Sequence, residues 1–97
     1  MTAETQWTLL SNHAHVLVCL AEDSHMRVKD VARRVGITER AVQRIIRDLE
    51  SARFLSRLKA GRRNYYRIHG DQPLRHPLEH SHTVGELIEA VSGYSLS

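Results

Sequence analysis

Ninety-seven residues suffice for one domain and are too few for two, so one modest core with short appendages is expected over residues 1–97. Apolar residues make up 41% and charged residues 26%, with two prolines and five glycines, the composition of a globular domain. Net charge is +3, but its placement says more: thirteen of the fourteen Lys and Arg lie between Arg27 and Arg67 against four acids, a net of +9, whereas the rest of the chain sets Arg75 against seven acids, a net of −6.

A central basic segment flanked by acidic ones is suited to a polyanion at its middle and to something else at its ends. The longest apolar run, Val16 to Ala21, is far short of a membrane span, and the N-terminus lacks the order of a secretory signal. A cytoplasmic protein with no membrane partner is the expectation. The single cysteine, Cys19, has no partner for an internal disulfide and sits in an apolar helical pattern, where an inert buried thiol is usual.

In chain order, Trp7, Leu9 and Leu10 form an apolar patch too short to classify. SNHAHVLVCLAEDS follows, with Val16, Leu17 and Leu20 on one side behind Ser11 or Asn12, and predicts a core helix. After EDSH, the run MRVKDVARRVG places Val28, Val31, Ala32 and Val35 on one face of a short helix ended by Gly36. Met26 to Val28 could also supply a brief strand.

Thr38 then caps TERAVQRIIRDLESA, whose Val42, Ile45, Ile46 and Leu49 fall on one side. Two helices around a glycine-centred turn predict a helix-turn-helix. The period next changes to two. FLSRLKA, GRR and NYYRIH predict strand, tight turn and strand, with Leu58, Tyr66 and Ile68 inward and Arg57, Lys59, Tyr65 and Arg67 outward.

HGDQPLRHPLEHSH is rich in turn formers and histidine, and is expected to act as a connector. The last element, TVGELIEAVSG, opens on a Thr83/Glu86 capping box and closes at Gly93, with Val84, Leu87, Ile88 and Val91 in one stripe. The fold class expected is mainly α with a small β-hairpin wing: a winged helix-turn-helix core over about 11–69, then a connector and extra C-terminal helix over 70–97.

With Val42, Ile46 and Leu49 turned to the core, Glu39, Arg40, Gln43, Arg44 and Arg47 fall on the opposite side of the second helix of the pair. Arginine and glutamine are the side chains that pair bidentately with guanine and adenine edges, and a helix about 12 Å across fits the major groove. A solvated basic face is the plain alternative; the preceding helix, the glycine turn and the basic hairpin together favour duplex DNA. A wing tip of Arg62 and Arg63 beside Gly61 would reach a narrow minor groove or its phosphates. Arg57, Lys59, Arg67 and the Tyr65 hydroxyl would hold phosphates.

From about Val28 to Ile68 the chain resembles the winged helix-turn-helix regulators of the MarR and ArsR kind, in the run VARRVGITERAVQRIIRDLESARFL followed by GRRNYYRI. The resemblance implies that the glycine and following apolar residue make the turn and that Thr38 caps a recognition helix on which Val42, Arg44, Leu49 and Glu50 hold recurrent positions. It also implies that Glu39, Arg40, Gln43, Arg44 and Arg47 enter the major groove, with Arg62 and Arg63 toward the minor groove. Two departures stand out. Arg53 occupies the usual place of a helix-ending glycine, which predicts a frayed or strained residue there. Arg27 stands where a Ser or Thr cap is usual, weakening that helix start while adding a positive charge.

Seven histidines raise the question of a metal. His76, His80 and His82 are the nearest to a ligand set, but Pro77 limits them to a first helical turn and no second cysteine or clustered carboxylates support them; no metal or other cofactor is expected. No nucleophile–base spacing or phosphate-binding loop is present, so catalysis is not expected, and no small-molecule ligand is evident. The expected function is sequence-specific binding of double-stranded DNA by a transcriptional regulator. A winged-helix module for a protein or RNA partner is the alternative, disfavoured for RNA by the scarcity of exposed aromatics beyond Tyr65. Because one recognition helix reads few base pairs, a homodimer is expected, held by Trp7, Leu9, Leu10, Val84, Leu87, Ile88 and Val91 outside a core complete by Ile68.

Overall fold

The computed structural model describes residues 7–92, so the expected stop at Gly93 lies outside the described residues. The elements run α1 (Asn12–Glu22), α2 (Val28–Val35), α3 (Glu39–Ser51), β1 (Leu55–Ala60), β2 (Arg63–Ile68) and α4 (Val84–Ser92). Ser11 caps α1 by accepting from the Ala14 N–H. Val16, Leu17, Cys19 and Leu20 are buried against Val31 and Ala32 of α2 and Val42, Ile45, Ile46 and Leu49 of α3. Burial pushes the Cys19 thiol up from its ordinary value, with only partial opposition from the Arg34 charge, so the group stays protonated and inert.

Gly36 ends α2 at φ +87°, a conformation that costs glycine little. Thr38 starts α3 with its hydroxyl 3.0 Å from the Ala41 N–H. The turn is therefore Gly36–Ile37–Thr38, with Ile37 packed on the core. By contrast α2 begins at Arg27 without a side-chain cap. No strand forms at Met26–Val28; the preceding loop instead touches β2 through one backbone bond, Tyr66 N–H to the Ser24 carbonyl at 3.0 Å.

Helix α3 ends in a Schellman motif: the Phe54 N–H reaches the Leu49 carbonyl at 2.9 Å and the Arg53 N–H reaches that of Glu50 at 3.0 Å. That geometry forces Arg53 to φ +65°, the one positive φ among the described non-glycine residues. A side chain in this region costs about 1 kcal/mol or more. Arg53→Gly is expected to raise stability by about 1 kcal/mol, read as a higher urea midpoint at unchanged slope; an unchanged or lower midpoint would show the strain to be absent.

β1 and β2 pair antiparallel from Leu55↔Ile68 to Ala60↔Arg63. The two loop residues are Gly61, at φ +65°, and Arg62, which lacks a positive φ; this is the sign pattern of a type II′ turn. The register corrects the expected faces. Opposed residues share a face, so Leu55, Arg57 and Lys59 lie with Ile68, Tyr66 and Asn64, and Leu58 lies with Tyr65 on the other side. The buried anchors are Leu55 and Tyr66, whereas Leu58 is 36% exposed. Arg57 and Lys59 thus share the core-facing side rather than a common outer face with Tyr65 and Arg67.

The connector is more ordered than a linker. It folds back on itself through the Pro73↔Thr83 bridge, with Leu74 N–H to the His82 carbonyl and Val84 N–H to the Gln72 carbonyl, both at 2.9 Å. The Thr83/Glu86 capping box forms: the Thr83 N–H donates to Glu86 at 2.7 Å and the Glu86 N–H to the Thr83 hydroxyl at 3.2 Å. That backbone bond, with His82 beside it, holds the Glu86 carboxyl below its ordinary range.

α4 packs on α1, and Val84 and Ile88, expected on a dimer surface, are buried in the protomer's own core. The core is not complete at Ile68. Gly85 permits this packing, because its N–H meets the Gly70 carbonyl at 2.8 Å and a Cβ there would lie 2.9 Å from that oxygen. The architecture is a winged helix-turn-helix with a C-terminal helix completing the core.

Candidate nucleic-acid interface

The buried positions of α3, Val42, Ile45, Ile46 and Leu49, occupy one side of a helix about 20 Å long. At 100° per residue the opposite side carries Glu39, Gln43, Arg47, Arg40 and Arg44 within an arc of about 140°. All five are exposed, and no ion pair among the described residues engages the three arginines. Their donors are free for a ligand. Glu39, in the first turn, suits the positive end of the helix dipole.

Polar contacts fix α3 from its edges rather than across this face. His13 of α1 meets Asp48 at 2.9 Å, and Arg57 of β1 meets Glu50 at 3.1 Å. Arg57 is thereby committed to joining the wing to the helix, and its charge is already partly matched. Lys59 lies two residues further on the same side, exposed and without an ion pair among the described residues.

The wing tip also differs from the expected pair of free arginines. Arg62 is exposed in the loop, but Arg63 opens β2 and donates to the His25 carbonyl at 3.1 Å. The His25 and Tyr65 rings stack with centroids 4.9 Å apart and planes 8° from parallel. Together with the Tyr66–Ser24 bond, these contacts brace the wing on the α1–α2 loop. Tyr65 is thus part of the brace, and Arg67, exposed, projects from the same outer face. Nothing local in sequence signals a stack between residues forty apart.

A cleft of about 260 Å3 separates the wing from the start of α2, lined by His25–Val28, Arg63, Asn64 and Tyr66. Arg27, the N-cap of α2 with no side-chain cap hydrogen bond, is one of these lining residues and adds a cation there. Its signal was the missing cap. Among the described residues no group of three or more His, Cys, Asp or Glu could hold a metal ion; His76 accepts from the Leu78 N–H and His82 pairs with Glu86 at 3.4 Å. No helix of the described residues is long and apolar enough to cross a membrane.

Residues 11–55 match the family model for winged helix-turn-helix DNA-binding domains. The matched span runs from the α1 cap through α3 to the first residue of β1, and so contains the whole arginine face. No curated protein and no solved structure matches the chain.

Proposed function

We propose, from the match of residues 11–55 to the winged helix-turn-helix DNA-binding model, that the chain is a sequence-specific transcriptional regulator that lays α3 in the major groove of duplex DNA. The observation that carries this reading is the face of Glu39, Arg40, Gln43, Arg44 and Arg47, exposed on a helix whose opposite side is core. Thr38 sets the start of that face. Guanidinium and amide groups there have the donor and acceptor geometry that base edges require. Arg62 and Lys59 contact the neighbouring minor groove or phosphates, and Arg27 takes a phosphate at the other side of the wing. The turn and wing are similar to those of MarR- and ArsR-like regulators.

The protein acts in the cytoplasm as a homodimer. Trp7, Leu9, Leu10, Leu87 and Val91 remain available for the contact, since Val84 and Ile88 are buried within the protomer. Two-fold pairing sets half-sites about one helical turn, ~34 Å, apart.

Binding is largely electrostatic in this reading. With about six phosphates neutralised per protomer, log K for a duplex half-site falls with log salt at a slope near −5. Titration of labelled duplex DNA and of single-stranded RNA across a salt series measures it. A slope near zero contradicts the reading, and tighter binding to the RNA favours the interaction-module alternative.

A further inference from the structure

Two apolar features of each protomer face solvent, one projecting and one concave. The projecting one is the segment before α1. The Thr8 hydroxyl donates to the Leu10 carbonyl at 2.6 Å, a local turn that leaves Trp7 80% and Leu9 91% exposed. The concave one lies between the connector and α4, a groove of about 310 Å3 lined by Leu74, Leu78, Glu79, His82, Glu86 and Leu87. Leu78 on its wall is 88% exposed.

We propose that the Trp7–Leu10 arm of one protomer docks in the Leu74/Leu78/Leu87 groove of a second copy, and the reverse, so that each chain completes the other. This rests on the homodimer reading above. The chemistry of the two parts matches. Residues 7–10 carry no charged side chain, so the carboxylates on the groove rim repel nothing, and Glu79 offers an acceptor for the indole N–H. A groove-to-groove contact would instead bring Glu79 and Glu86 against their own copies, which like-charge repulsion opposes.

The area is sufficient. A tryptophan buries about 200 Å2, and with a leucine beside it and the groove surface covered, two reciprocal arms remove roughly 1,400 Å2 from water, within the range of specific interfaces. The exchange is isologous and closes at two copies. Both parts lie in the acidic flanks, apart from the arginine face of α3.

Trp7 is the only tryptophan, so its emission reports the arm directly. Sedimentation and fluorescence of the full chain, without DNA, test the exchange. Expected are a dimer at tens of micromolar with blue-shifted emission, and a red shift on dilution in step with dissociation. Trp7→Ala and Leu78→Asp each give a folded monomer by circular dichroism; Leu78 is too exposed for its change to unfold the protomer. An equimolar mixture of the two variants keeps one intact arm–groove pair and dimerises at least tenfold more tightly than either alone. A dimer whose tryptophan emits as exposed at every concentration, or variants that fail to complement, overturns the exchange and leaves the dimer reading standing. A wild-type monomer at tens of micromolar overturns both, whereas a blue-shifted emission that persists after dilution to the monomer puts the arm on its own protomer and overturns the exchange.

Discussion

Replacing Arg44 or Arg40 by Ala is expected to cost roughly 1–3 kcal/mol on the best duplex site and to relax preference at particular base pairs. Both side chains are exposed on the face of α3 opposite its buried residues, so truncation removes donors without opening the core. Folding stability stays within about 0.5 kcal/mol of the parent. Arg62→Ala, at the wing tip, weakens every duplex more evenly, because a phosphate contact carries no base information. Affinity profiles over a panel of single-base variants separate the two behaviours. Equal loss of discrimination from both changes would contradict the division between reading helix and positioning wing.

Ile88→Ala is expected to destabilise the protomer by about 3 kcal/mol, within the range for a large aliphatic side chain truncated in a core. Ile88 is fully buried, on a helix that packs against α1. For a domain whose total stability is of order 5–15 kcal/mol this is a large share, and Tm should fall by roughly 15 °C. Circular dichroism melts of dilute protein measure it. A change under 1 kcal/mol, or a loss present only at concentrations that favour dimers, would return Ile88 to an intermolecular contact.

The helix-turn-helix was legible because its signals are local. Gly36 supplies the left-handed turn, Thr38 supplies a cap, and Val42, Ile45, Ile46 and Leu49 repeat at helical spacing. The strain at Arg53 was legible from the absent glycine, and the positive φ is observed. The hairpin faces were not, since alternation fixes faces only up to a shift of one residue. Taking Leu58 as the inward anchor in place of Leu55 turned all of β1 over while leaving β2 correct.

The C-terminal stripe failed for another reason. Val84, Leu87, Ile88 and Val91 show the same periodicity whether α1 or a second chain covers them. Only the packing divides them, with Val84 and Ile88 inside and Val91 largely outside. The wing brace of His25, Arg63 and Tyr65 joins segments distant in sequence, and no periodicity encodes it.

The measurement that tests the central claim most directly is selection of bound duplexes from a random pool, run in parallel with wild-type protein and Arg44→Ala. The account predicts that the wild type enriches a defined motif and that the variant loses preference at discrete base pairs within it, with overall binding to the pool largely kept through the phosphates. Recovery of no motif by the wild type, or the same motif from both proteins, would contradict the assignment of α3 as the element that reads DNA.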